Sequence, residues 1–381
     1  MTQDQEQLIA IMRRVACGDG LRDRLALTDP EKVYRLAKSQ DVGHFVGYGV
    51  DKGLVEVFDP ETEKAFQLEY LQAARRVMIL ENEIRNIRDV FETAGIDFIP
   101  LKGAVLRGLY PAPWMRVSGD IDVLVRAEDL ARAEQTLVEK LRYTVTDQGA
   151  HHDHVSAPSG FHVDLHFTLT EREGAAKRLL DEVWDRCSPA EGKVHEHRMD
   201  DDMLYLFHMF HTAAHFQLGG CGLRPVLDTW LLNHRMAFDA EKRYALLGEA
   251  GLLTFARTLE TLAEVWFSET AAEGLEDMEH YIFSGGLYGS SQRIAAAQAQ
   301  NGNRLTYLVK RAFPPVRIMK HVGYPAVERW PVLLPLCWGH RLVRGLVQGK
   351  GKLIPYEFET TKQEADRSVE IARLFDRLGL R

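Results

Sequence analysis

The sequence predicts a mostly helical α+β protein, with a small mixed-sheet α/β core flanked by N-terminal and C-terminal helical regions. Three observations carry this expectation. Apolar residues recur at helical spacing over residues 1–95, short β-like runs replace them between 96 and 170, and helical spacing returns from about 171. At 381 residues the chain has material for two or three domains. Its 45% apolar and 27% charged residues are ordinary for a globular protein.

The elements follow in order. Leu8-Ile9 and Ile11-Met12 mark a first amphipathic helix, and a longer one runs from Phe66 through Phe91 to a glycine stop at Gly95. Ile96-Asp97-Phe98-Ile99-Pro100-Leu101 reads as a strand leading into Lys102-Gly103. Ala104 to Tyr110 has helical composition, and Pro111-Ala112-Pro113 breaks it, because proline fixes φ and lacks an amide donor. Ile121 to Val125 is a strand. Ala127 to Leu141 is an amphipathic helix with Leu130, Ala133, Leu137 and Leu141 on one face. Tyr143 to Thr146 and Phe161 to Phe167 are further strands, while His151, His152, Asp153 and His154 read as a loop between them. Leu204 to Leu218, Pro225 to His234 and Ala240 to Trp266 are helical, as is the basic tail over 300–381, ending in Gln363 to Leu378. Three regions result: a helical 1–95, an α/β core at 96–170 and a helical 171–381.

Bulk properties narrow the function classes. With 47 basic and 55 acidic residues the net charge is −8, which argues against long nucleic acid as a partner. Cys17, Cys187, Cys221 and Cys337 are far apart, so neither a zinc site nor a disulfide framework is expected. The polar start resembles no secretory signal, and no apolar run approaches the roughly 18 residues of a membrane helix. Trp330 to Trp338 is the most apolar stretch, and its two prolines suggest a buried segment. A reduced, cytoplasmic protein is the expectation.

The chemistry concentrates in Gly119-Asp120-Ile121-Asp122-Val123-Leu124-Val125. Alternate strand residues share a face, so Asp120 and Asp122 project together while Ile121 and Val123 enter the core. Two carboxylates one strand step apart repel unless cations sit between them. Asp164, in His162-Val163-Asp164-Leu165-His166, is the natural third ligand. Such a trio suits hard ions that clamp a phosphoryl group during in-line displacement. Lys102 and Gly103 form a turn where a cation and exposed amides can hold phosphates, with Arg116 and Ser118 as further candidates.

Taken together, Pro100-Leu101-Lys102-Gly103, Tyr110, Arg116, Asp120-Ile121-Asp122 and Val163-Asp164-Leu165-His166 resemble the DNA polymerase beta-type nucleotidyltransferase superfamily. Within it they are similar to the bacterial family described as uncharacterised nucleotidyltransferases. The likeness extends to His208, His211, His215 and Asp228 and covers roughly residues 70–345. It implies Asp120, Asp122 and Asp164 as catalytic and metal-binding carboxylates, and Gly103 as the phosphate-turn glycine. The superfamily commonly has a small hydroxyl residue or second glycine at this turn. Here Lys102-Gly103-Ala104 stands instead, and the resemblance makes the lysine its substitute.

The histidines carry two readings each. His151, His152 and His154 form a polar loop or a zinc or nickel cluster, although zinc spacing is absent. His166 either orients Asp164 or packs as an ordinary strand residue. His208, His211 and His215 share a helix face, lining either a cleft or a packed interface. Arg224 and Asp228 read as a simple pair. In the tail, Lys310, Arg311, Arg317, Lys320, Arg341, Arg344, Lys350 and Lys352 form a solvated face or an anion cradle. Trp330 and Trp338 read as packed.

The expectation is therefore a Mg²⁺- or Mn²⁺-dependent nucleotidyltransferase moving a nucleoside monophosphate, AMP from ATP first, onto an acceptor hydroxyl with loss of pyrophosphate. The acceptor is a small molecule, peptide or protein that the sequence does not encode. Two alternatives stand beside it: a catalytically silent nucleotide-binding protein of the same fold, and a histidine-based metal-dependent hydrolase.

Overall fold

The computed structural model describes residues 1–18, 24–148, 152–286, 326–347 and 369–380. Its contacts divide the chain into two compact units. One comprises Met1–Phe216, Gly220–Tyr288 and Leu378–Leu380, the other Gln217–Gly219 and Gly289–Arg377.

The first unit opens with helices α1 (Gln3–Cys17), α2 (Pro30–Ser39), α3 (Gly43–Asp51) and α4 (Pro60–Ala94), with a two-residue parallel pairing of β1 (Leu25–Ala26) and β2 (Val55–Glu56) between them. α4 begins at Asp59, whose carboxylate accepts from the Thr62 amide, and Pro60 is pre-set for the first turn. The core follows with β3 (Phe98–Pro100), the short α5 (Gly103–Leu106), β4 (Asp120–Val125), α6 (Leu130–Leu141), β5 (Thr144–Gln148), β6 (His152–Ser156) and β7 (His162–His166). They form a five-stranded sheet in the order β3-β4-β7-β6-β5. β4 runs parallel to β7 and antiparallel to β3, so the sheet is mixed.

One sheet face is apolar and one is polar, and the sequence alternation decides which. Ile121, Val123 and Val125 of β4, Val163 and Leu165 of β7 and Val155 of β6 are buried against Leu80, Ile84, Ile87 and Phe91 of α4 and Ala133 and Leu137 of α6. Each large side chain so buried contributes about 1.5–3 kcal/mol. Every residue between them in these strands faces the other side.

α7 (Ala175–Asp181), β8 (Cys187–Pro189) and β9 (His197–Met199) lead to helices α8 (Asp201–Gln217), α9 (Arg224–Arg235), α10 (Ala240–Glu249), α11 (Leu253–Phe267) and α12 (Glu276–Gly285). The helix expected over Ala240 to Trp266 is two helices, because Gly251 takes φ +73°, which ends the first of them. The loop expected at His152–His154 is also corrected: it is strand β6, paired antiparallel with both neighbours. His151 lies outside the described residues.

In the second unit, α13 (Ala326–Arg329) and α14 (Leu334–Val347) are joined by a 3₁₀ turn at Pro331–Leu333, and 369–377 is helical. The buried segment expected at Trp330–Trp338 is not what forms. Trp330, Val332 and Leu336 are exposed, two of them at the 3₁₀ turn and its start and the third in the first turn of the helix that follows. Lys310, Arg311, Arg317, Lys320, Lys350 and Lys352 lie outside the described residues. Among the described residues no helix is long and apolar enough to cross a membrane. No disulfide joins the four cysteines.

Candidate active site

The polar sheet face brings the acids together by register. Asp122 lies directly opposite Asp164 across the parallel β4–β7 pair, and Asp164 lies opposite His154 across β7–β6. One strand step away, Asp120 stands opposite His162, and one step the other way Leu124 stands opposite His166. Asp120, Asp122 and Asp164 therefore share one face, as the alternation predicts.

Asp122 is almost fully enclosed, and its Oδ1 accepts from Lys102 Nζ at 2.6 Å and lies 2.9 Å from His166 Nε2. Burial alone would raise this carboxyl. Lys102 and His166 outweigh it and hold Asp122 well below the ordinary carboxylate range. The Lys102 ammonium is raised in turn: burial opposes its charge, but Asp122, Asp120 and Asp164 all favour it. Asp120 reaches solvent at the mouth. Partial desolvation, then the charges of Asp122 and Asp164, push its carboxyl upward. His166 thus orients Asp122, which corrects the expectation that it orients Asp164. Asp164 is held by His154, with Nδ1 at 2.7 Å from Oδ1.

The turn before α5 is tied to this strand by the Leu101 amide, which donates to the Asp122 carbonyl at 3.0 Å. Lys102 takes φ +46°, a conformation glycine favours. Gly103 is needed for a different reason: a Cβ there would meet Ser118 Oγ at 2.9 Å and Ser118 Cβ at 3.2 Å. Ser118 Oγ accepts from Arg107 Nη2 at 2.9 Å.

Arg116 is half-buried, and its Nε donates to Asp228 Oδ1 at 2.9 Å, while the Tyr110 hydroxyl donates to the same oxygen at 2.8 Å. Asp228 thus pairs with Arg116, a partner that the reading of Arg224 and Asp228 as a simple pair did not include. Arg224 donates to the Val117 carbonyl and lies 3.6 Å from Asp41.

Helix α8 covers the acids. A cavity of about 280 Å³ is lined by Lys102, Gly103, Ser118, Asp120 and Asp122 from the core and by His208, His211 and His215 from the helix. His208 is buried and its Nε2 lies 2.9 Å from Thr229 Oγ1. Burial lowers its pKa to about 4. Burial, then Lys102, lowers His211 and His215 as well. The histidine face therefore lines the cleft as neutral imidazoles. A second opening of about 470 Å³ exposes Asp120, His154, His162 and Asp164. A larger cavity of about 860 Å³ shares Lys102 with the cleft. It is lined by Arg85, Arg88, Arg107, Arg198 and Arg235 against Glu81, Glu196 and Asp201. Arg107 was not singled out in the sequence. It is buried with no carboxylate partner among the described residues, and burial lowers its pKa to about 10.

A family model described as "Uncharacterised nucleotidyltransferase" matches residues 27–268. The chain belongs to this family. The match begins well before residue 70, so it takes in α2, α3 and α4 as well as the sheet and the helices through α11. A search of curated proteins gives no match to the chain. For this nucleotidyltransferase-family chain the donor chemistry fits a divalent metal. Asp122, Asp164 and His166 offer one donor atom each within 4.8 Å of one another, as do His152, His154 and Asp164. Asp120 stands outside both groups at the mouth of the cleft.

Proposed function

We propose that the protein is a metal-dependent nucleotidyltransferase that moves a nucleoside monophosphate, AMP from ATP first, onto an acceptor hydroxyl. The observation that carries this reading is the in-register opposition of Asp122 and Asp164 on adjacent parallel strands, with Asp120 one step along the same face. In this reading Asp120, Asp122 and Asp164 hold Mg²⁺ or Mn²⁺, which when bound neutralises the triphosphate and clamps it for in-line attack. Asp164 takes the proton of the acceptor hydroxyl. The freed oxygen attacks the α-phosphorus, the bond to the β-phosphate oxygen breaks, and pyrophosphate leaves.

Lys102 and Gly103 border the phosphates, and Ser118, held by Arg107, shapes the floor beneath them. Arg116 acts from the wall, where Asp228 fixes it. The neutral rings of His211 and His215 offer a surface for the base. The arginine-lined cavity next to Lys102 suits an acceptor that carries negative charge. The second reading, nucleotide binding without transfer, draws on one observation: the Lys102 ammonium already compensates Asp122.

Incubation with α-labelled ATP, GTP, CTP or UTP, with Mg²⁺ or Mn²⁺ and a cell extract, separates them. The expected result is label on an acceptor that Asp122→Asn abolishes by at least about a hundredfold. Nucleotide binding with no labelled acceptor leaves the silent reading standing. Neither binding nor labelling removes both.

A further inference from the structure

From the strand geometry we infer that His152, His154 and Asp164 form a nitrogen-rich site for a borderline transition metal such as Zn²⁺ or Co²⁺, separate from the carboxylate trio except for the shared Asp164. His152 and His154 are alternate residues of β6, so both project from the polar face toward β7. Their Nε2 atoms lie 3.2 Å apart. Two imidazole nitrogens each about 2.0–2.1 Å from a tetrahedral zinc are separated by roughly 3.3 Å, so the pair already has the spacing of adjacent ligands.

The carboxylate fixes the tautomer of the pair from the far side of the His154 ring. Asp164 Oδ1 is 2.7 Å from His154 Nδ1 and its Oδ2 is 3.9 Å from His152 Nε2. When His154 Nδ1–H donates to Asp164, its Nε2 carries the lone pair a metal needs, the arrangement by which carboxylates fix the tautomer of ligating histidines. One donor atom from each residue lies within 4.8 Å of the others. His154 is 40% exposed and, with Asp164, lines the open cavity beside Asp120, so an ion and its remaining ligands from solvent can enter. Imidazole favours zinc, cobalt and nickel over magnesium, which prefers an all-oxygen shell. The site therefore selects a different ion from the one the three carboxylates suit, and it does so without nucleotide.

Titration of the full chain with Co²⁺, followed by visible absorption and by competition with Zn²⁺ and Mg²⁺, tests this. The expected result is one equivalent with tetrahedral d–d bands, displaced by Zn²⁺ but not by Mg²⁺. His152→Ala and His154→Gln should each weaken it by at least about tenfold, while His211→Ala leaves it unchanged. Because a strand variant can misfold, imidazole ¹⁵N shifts of the wild-type chain give a second readout: His152 and His154 should move on adding Zn²⁺. Absent d–d bands, unmoved resonances of these two residues, or loss of the bands on His211→Ala would overturn the site. Nucleotide transfer is not needed for any of these results, so their failure is distinct from failure of the transferase reading.

Discussion

Lys102 accepts backbone strain in order to reach Asp122. Its φ of +46° with ψ −118° is a conformation glycine favours at the first inner position of a tight turn. Holding a side-chain-bearing residue there costs on the order of 1–3 kcal/mol. The ion pair with Asp122 over-determines the turn. Lys102→Gly and Lys102→Ala both remove the ammonium, but only glycine relieves the backbone. Urea unfolding should therefore find Lys102→Gly about 1–2 kcal/mol more stable than Lys102→Ala. Equal stabilities would mean the turn is not strained. The sequence offered the turn by residue type, and it offered Asp120, Asp122 and Asp164 by alternation. It did not offer the Lys102–Asp122 contact, which spans twenty positions and exists only because β3 pairs antiparallel with β4. Arg116 was legible as a cation near the acids. Its commitment to Asp228 was not, because that depends on where α9 docks.

At the scale of the element, two helices bury a histidine in neutral form. His44 of α3 is fully enclosed, with Nε2 3.2 Å from the Met115 carbonyl and Asp41 and Arg224 nearby. Burial, only partly offset by that carbonyl and Asp41, lowers its pKa to about 4, as burial does for His208 of α8. A folded-state pKa below the unfolded value of 6.5 means the unfolded chain binds more protons between the two. Stability is therefore fully present above about 6.5 and is lost as pH falls toward 4. From pH 7 to pH 5 each histidine removes about 2 kcal/mol. Urea midpoints over that range should fall, and His44→Gln should flatten the fall. A slope unchanged by His44→Gln would sink the argument. The elements themselves were largely legible, because α4, β4, α6 and β7 each show the period of their type. β6 was missed for a physical reason. His152, His154 and Ser156 lie on the polar face of the sheet and the buried residue between the two histidines is Asp153, so the strand lacks the apolar alternation that marks one.

At the scale of the whole molecule, the site depends on parts far apart in sequence. The acids come from the sheet, the turn from the strand before it, and the imidazole wall from α8, and the family match spans all three. A ligand that joins these parts stabilises the folded chain by mass action. At a hundred times its dissociation constant the gain is about 2.7 kcal/mol, which for a unit of this size moves the melting temperature by roughly 5 °C. A thermal screen of the four nucleoside triphosphates, each with Mg²⁺ or Mn²⁺, should raise the transition for at least one pair and leave it unmoved for nucleotide alone or metal alone. Asp122→Asn should erase the joint effect, because it removes the carboxylate that faces Asp164 in register. A shift that survives Asp122→Asn would place the nucleotide somewhere other than the acidic face. The arginine-lined cavity next to Lys102 would then be the place to look, since guanidinium groups pair with phosphate without needing a metal.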